Sequence, residues 1–189
     1  MRSGILLAAL PLAVFFAACG DPSGPGGETP GGDESRIAIS YTGAVSGTFV
    51  ATGDPDVTVV PARQTFAVAN RVTDGALEVT AYNQNGTSSF NVASITVPQP
   101  AVGQVAVDRF CGADQCPEVT LALELGHTTG SAARYTCHLD EGTIRISALS
   151  SARVKGSASG TGICIPASGG DFVGFQITSG TFEVDFLQR

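Results

Sequence analysis

Val119-Thr120-Leu121-Ala122-Leu123-Glu124-Leu125 places an apolar residue at every second position, with Thr120 and Glu124 set between them. Successive side chains of an extended chain point to opposite faces, so the stretch predicts a strand with one face on a core and one in water, as in an antiparallel sheet. The same period runs outward in both directions. Upstream, Ile37, Ile39 and Tyr41 alternate with Arg36, Ala38 and Ser40, and the parity continues through Val45 to Phe49. Phe66, Val68 and Val72 alternate with Ala67, Ala69 and Arg71, which predicts the first set inward; Leu77 and Val79 alternate with Glu78 and Thr80. Downstream, Ile144 and Ile146 alternate with Arg145 and Ser147, and Phe182, Val184 and Phe186 with Glu183 and Asp185. Turn signals separate the segments at Gly53-Asp54-Pro55, Asp74-Gly75, Asn85-Gly86, Pro98-Gln99-Pro100, Glu141-Gly142 and Gly169-Gly170-Asp171. Between Phe90-Val92 and Ile95-Val97 the apolar set shifts by one residue, which predicts a bulge near Ala93-Ser94. In-strand glycines such as Gly43, Gly47, Gly156 and Gly162 mark bends or close approaches. The expected fold is all-β: an antiparallel two-layer β-sandwich of about ten strands, with a closed or partly open β-barrel as the alternative architecture.

Composition narrows the function classes. Of 189 residues, 24 are Gly, none is Trp, and only 14% are charged beside 43% hydrophobic. Ten basic residues against 17 acidic ones give a net charge of −7, and Lys155 is the sole lysine. That balance excludes a binder of the nucleic-acid backbone, which needs clustered cations to release counterions. The apolar content excludes a disordered chain, and the glycines lack the three-residue period of collagen.

The first residues read as an address. Arg2 precedes an apolar run from Ile5 to Phe16, which ends in Ala17-Ala18-Cys19. The run is too short to span a bilayer and ends in small residues, as a cleavable secretory signal does. Phe16-Ala17-Ala18-Cys19 resembles the lipobox of bacterial lipoproteins, with Phe16 where that family usually carries an aliphatic residue. The resemblance implies removal of residues 1–18 and lipidation of Cys19 as the new first residue. Two or more acyl chains on one residue would anchor the chain stably. Gly20 after the cysteine resembles the outer-membrane sorting pattern. Gly20 to Asp33 (GDPSGPGGETPGGD) has no apolar residue, and its Gly/Pro content makes it a tether. The expected organisation is a signal over 1–18, a lipidated Cys19 and tether over 19–33, and one β domain over 34–189. Loss of Arg2 with the signal takes the net charge from −7 to −8.

A second resemblance lies in the last third of the chain. Gly142-Thr-Ile-Arg-Ile-Ser147, Val154-Lys-Gly156 and Gln176-Ile-Thr-Ser-Gly-Thr-Phe-Glu-Val184 occur in that order. They look like the C-terminal signature of uncharacterised β-rich lipoproteins of the DUF6252 kind. That resemblance implies adjacent strands of a lipid-anchored β domain and carries no activity. Ser46-Gly47-Thr48-Phe49 also recurs as Ser179-Gly180-Thr181-Phe182, at a spacing too irregular for a solenoid.

Four cysteines follow Cys19: Cys111, Cys116, Cys137 and Cys164. An even number in an exported chain reads as two disulfides, for which sequence permits three connectivities. Inward parity of Cys137 and Cys164 favours a bridge between them across the core, leaving Cys111 and Cys116 to staple a hairpin. A metal site of Cys111, Cys116, Cys137 and His138 is disfavoured, because neighbours on one strand face opposite ways.

Other candidate residues have simpler explanations. His127 in the loop Gly126-His-Thr-Thr-Gly130 and His138 on a polar face read as surface histidines. Asp54/Asp56 and Asp140/Glu141 sit beside Pro or Gly and read as turn acids rather than calcium ligands. Asn85-Gly86-Thr87 reads as a hairpin turn before it reads as a glycosylation site. Of the tyrosines, Tyr41 and Tyr135 fall on inward parities, and only Tyr82 is free to stack on a sugar. No catalytic constellation, cofactor site or metal site stands out. The sequence therefore points to a lipid-anchored protein of the bacterial cell envelope, at the outer membrane, whose domain is a non-enzymatic binding or structural module with a protein or glycan partner. The alternatives are a carbohydrate-binding accessory protein and an envelope hydrolase using loop carboxylates such as Asp114 or Asp171.

Overall fold

The computed structural model describes residues 34–187 except 44, 57, 73, 87, 109–118 and 129–130. Contacts divide the chain into Met1–Gly32 and Asp33–Arg189, and the fold is that of the second unit. Its ten strands are β1 (Arg36–Gly43), β2 (Gly47–Thr52), β3 (Phe66–Arg71), β4 (Leu77–Asn85), β5 (Ser89–Val97), β6 (Gly103–Asp108), β7 (Thr120–Thr128), β8 (Tyr135–Leu149), β9 (Arg153–Pro166) and β10 (Val173–Asp185). All pair antiparallel in one sheet of order β2-β1-β10-β9-β8-β7-β5-β4-β3. β6 and β7 share one edge of β8, with Asp108 opposite Glu141 and Ala122 opposite His138.

The sheet curls until its two ends meet, so that it is nearly closed and barrel-like. The Ala67 amide of β3 donates to the Gly53 carbonyl just beyond β2 at 2.9 Å. The Leu187 amide donates to the Ala69 carbonyl at 2.9 Å, beside a parallel bridge between Ala69 and Phe186. The Asn83 side-chain amide of β4 donates to the Val50 carbonyl of β2. Bringing the two end strands together limits the exposed edges that would otherwise template aggregation. Ser35, fully buried, clasps the same seam: its hydroxyl donates to Asp54 at 2.8 Å and accepts from the Asp185 amide at 3.0 Å.

One apolar cluster draws on all ten strands. Leu121, Leu123 and Leu125 of β7 enter it, as do Ile37 and Ile39 of β1 and Val184 of β10. The repeated Ser-Gly-Thr-Phe pieces lie on the two neighbours of β1, where Phe49 faces Ile39 and Phe182 faces Ile37. The antiparallel all-β class and the strand number agree with the sequence reading. The segments that resemble the lipoprotein signature lie in β8, β9 and β10, which are neighbours in the sheet.

Four local expectations are corrected. Glu141-Gly142 is no turn: β8 runs through it, with a register shift between Leu139 and Glu141. Gly142 faces Gly160 on β9, and a Cβ on either would overlap the other strand's backbone, so the glycines serve close approach. No bulge lies at Ala93-Ser94, because β5 pairs with β4 without a break from Val97 to Ser89. Instead Phe90 and Val92 occupy the outer face, while Ala93, Ile95 and Val97 enter the core. In β3 the inward residues are Ala67 and Ala69; Phe66 and Val68 are outward, yet buried and apart from the core cluster. The β2–β3 connection, with a 3-10 turn at Pro61–Arg63, crosses β4 and β5 and covers that face. Finally, Gly126 and His127 belong to β7, not to a loop.

Candidate functional site

The outward apolar residues of β3, β4, β5 and β7 form a ladder of rings. Phe66 and Tyr82 are register partners with ring centroids 5.1 Å apart. Tyr82 and Phe90 follow at 6.0 Å, and Phe90 and His127 at 4.6 Å with planes 1° apart. Cross-strand aromatic pairs of this kind stabilise a sheet face beyond the area they bury. Tyr82 is therefore not free: Phe66 lies on one side and Phe90 on the other.

His127 ends the ladder and meets a carboxylate. Its Nε2 lies 2.6 Å from Glu124, three residues earlier on the same strand. Residues three apart in a regular strand face opposite sides. Here the register shifts between Phe90 and Val92, and Gly126 adopts φ 71°, so both side chains emerge on the outer face. The His127 side chain is only 15% exposed, covered by Phe90 and Glu124, where sequence reasoning expected a surface residue. No sequence signal marks this pair, because a bulge creates it. Among the described residues, no group of three or more His, Cys, Asp or Glu side chains is placed to hold a metal ion.

The opposite wall carries charge outside. Arg153 at the start of β9 pairs with Asp185, and its Nη1 lies 2.8 Å from Glu183 on β10. Lys155 also pairs with Glu183. The hydrogen bond from Arg153 holds the Asp185 carboxyl below the usual carboxylate range, and that from Lys155 does the same for Glu183. The bond to Asp185, and to a lesser degree that to Glu183, raises the Arg153 guanidinium above its ordinary value. Beside them lies a shallow open cleft of about 340 Å³, lined by Glu34, Arg36, Gly156, Thr181, Phe182 and Glu183.

Among the predicted site residues, Cys137 and Cys164 come together. They are fully buried register partners on β8 and β9, with Sγ atoms 2.01 Å apart. Both point inward as expected, but the bridge joins neighbouring strands of one wall and does not cross the core. Direct opposition in the ladder brings the two Cα atoms within 3.9 Å. Cys19, Cys111, Cys116 and Asp114 lie outside the described residues. His138 stands on the outer face of β8, opposite Ile163 on β9 and Ala122 on β7. Asp54 serves the Ser35 clasp, and Asp56 accepts from the Thr58 hydroxyl and amide, which hold its carboxyl low. Asp140 is 9% exposed inside β8, so it is no turn residue, and Asp171 is exposed between β9 and β10. Tyr41 is buried, which raises its phenol, and Tyr135 packs against the core. Compared with known proteins, the chain matches no family model, no curated protein and no solved structure.

Proposed function

We propose that this chain is a lipid-anchored protein of the bacterial cell envelope, held at the outer membrane by acylated Cys19, with its β domain acting as a non-enzymatic binding or structural module. One observation carries the reading: a short apolar run ends in Ala17-Ala18-Cys19 and is followed directly by a stretch, Gly20 to Asp33, that contains no apolar residue. A signal, a lipidation site and a spacer occur in the order an anchored domain needs. The start of β1 at Arg36, just beyond the spacer, fits the same division. A ladder whose rings cover one another and a wall of paired charges fit a durable scaffold better than a sugar-stacking platform.

The test is metabolic labelling with a fatty-acid analogue in a lipoprotein-processing host. Wild-type protein is expected to incorporate label and sediment with membranes. Cys19→Ser is expected to lose the label and accumulate as precursor or soluble protein. Label that persists in Cys19→Ser would overturn the reading.

A further inference from the structure

The direction of every strand sorts the loops onto two rims. β1 starts where β2 and β10 end, since Arg36 faces both Thr52 and Glu183. β9 starts and β8 ends at that same rim, with Arg153 opposite Asp185 and Leu149 opposite Val154. The starts of β4 and β6 and the ends of β3 and β5 complete it. The described chain thus enters at Glu34 and leaves at Leu187 on one rim. The β1–β2, β4–β5, β7–β8 and β9–β10 connections lie on the other.

Exposed large apolar side chains are distributed unevenly over this frame. Of six among the described residues, Val72, Val102 and Leu187 lie at the entry rim, exposed by 39%, 63% and 41%. Val59 and Val60 lie on the β2–β3 connection against the wall, and Phe172, 65% exposed, is alone on the far rim. Charges at the entry rim are mixed: Arg36, Arg71 and Arg153 stand among Glu34, Asp54, Asp74 and Asp185. Arg71 is partly engaged, its guanidinium 5.1 Å from the Phe186 ring centre.

We infer that the entry rim is a lipid-contacting surface, through which the domain rests on the bilayer with Val72, Val102 and Leu187 in the headgroup region. This inference rests on the anchor proposed above. The length of chain between anchor and domain supplies the argument for the occupant. Residues 19–33 form a spacer whose typical reach is roughly 20 Å, from about 5–6 Å times the square root of its length. β1, the strand that the spacer joins, has 8 residues, which at about 3.3 Å each and a tilt of about 40° make its wall roughly 20 Å tall. To bring the far rim to the membrane, the spacer would have to extend its whole typical reach back along this wall. The entry rim needs no such extension, and it is also where the apolar side chains gather. Interspersed charges of both signs leave the contact to apolar side chains, so a zwitterionic surface suffices.

The experiment uses the full, lipidated protein in phosphatidylcholine vesicles containing a lipid-borne quencher at headgroup depth. A fluorescent amino acid replaces Val102 or Leu187 at the entry rim, Phe172 at the far rim, or Val60 on the wall. These side chains are exposed, so the replacements leave the core intact. Quenching at Val102 and Leu187 severalfold above that at Phe172 and Val60 is the expected result. Equal quenching at all positions, or the strongest at Phe172 or Val60, would overturn the entry rim as the contact surface while leaving the anchor standing. Protein that fails to float with the vesicles and lacks acyl mass would overturn the anchor and this inference together.

Discussion

The wall of β3, β4, β5 and β7 and the wall of β8, β9, β10 and β1 face the same core but end differently on the outside. On the first, outward positions carry Phe66, Val68, Tyr82, Phe90 and Val92, and the β2–β3 connection packs over part of them. On the second they carry Arg36, Arg145, Lys155, Glu183 and Asp185, and the strands lie close through Gly142, Gly160 and Gly156. One wall is reinforced by an added layer of rings. The other is reinforced within the sheet, by a covalent link and by glycines that admit neighbouring groups. Alternation alone does not distinguish the two, because it reports which residues share a face and not which face is inside.

This contrast can be broken by substitution, and the covalent link should show the largest effect. Replacing Cys137 and Cys164 together by Ser removes a closed loop with a sequence separation of 27. The unfolded chain regains entropy worth about 3.5 kcal/mol at 25 °C on the loop-closure estimate. Urea unfolding of the double variant should show that loss, and non-reducing peptide mapping of the wild type should recover Cys137 linked to Cys164. A loss below about 1 kcal/mol would mean that the second wall does not depend on its bridge.

Gly156→Val comes next. A Cβ at this position overlaps the Phe182 ring and the Arg145 carbonyl. Phe182 lies over the glycine of its register partner and fills the space a side chain would take. Overpacking of this kind costs about 2–3 kcal/mol, read from the same unfolding curves; an unchanged midpoint would show that the ring moves aside freely.

On the first wall, Phe90→Ala removes the ring between Tyr82 and His127. The expected loss is about 1–2 kcal/mol from half-buried area and ring pairing. Loss of the upfield ring-current shift on the His127 protons in NMR would report the stack directly. A cost equal to that of Gly156→Val would erase the distinction between an outer layer and the sheet itself.

The smallest effect belongs to the ion pairs. Asp185 and Glu183 have carboxyls held low by Arg153 and Lys155, so they favour the folded state above the ordinary carboxylate range. That contribution is lost as pH falls through their lowered folded values, in the acid region below about pH 4. Asp185 is 38% exposed, and solvent screening limits the effect of Asp185→Asn to about 0.5–1 kcal/mol at neutral pH. The variant should also show a flatter stability profile below pH 4. An unchanged acid profile would assign the acid sensitivity to other carboxylates.

The second wall and the buried leucines of β7 were legible in the sequence because polar residues mark their outer faces. The first wall was legible only in part. Phe90 and Val92 looked like a core set thrown out of step, so a bulge was expected at Ala93-Ser94 where the strand is regular. Phe66 and Val68 looked inward because they are larger than Ala67 and Ala69, yet the alanines fit the core opposite Ala81 and Val79. Glu141-Gly142 has turn chemistry, but Gly160 across the ladder uses the missing side chain for close approach. The contact between His127 and Glu124 depends on a bulge that no spacing rule supplies. For β3 and β5 the cause is shared: side-chain size does not report side-chain direction where both faces of the sheet are covered.

The proposed anchor at Cys19 is the premise on which the proposed membrane contact of the entry rim depends. Intact-mass and peptide analysis of the mature N-terminus, taken from protein isolated with the membrane fraction, tests it most directly. The expected first residue is Cys19 bearing a diacylglyceryl group and a further acyl chain, followed by Gly20-Asp21-Pro22. A mature chain that begins elsewhere, or at an unmodified Cys19, would contradict it.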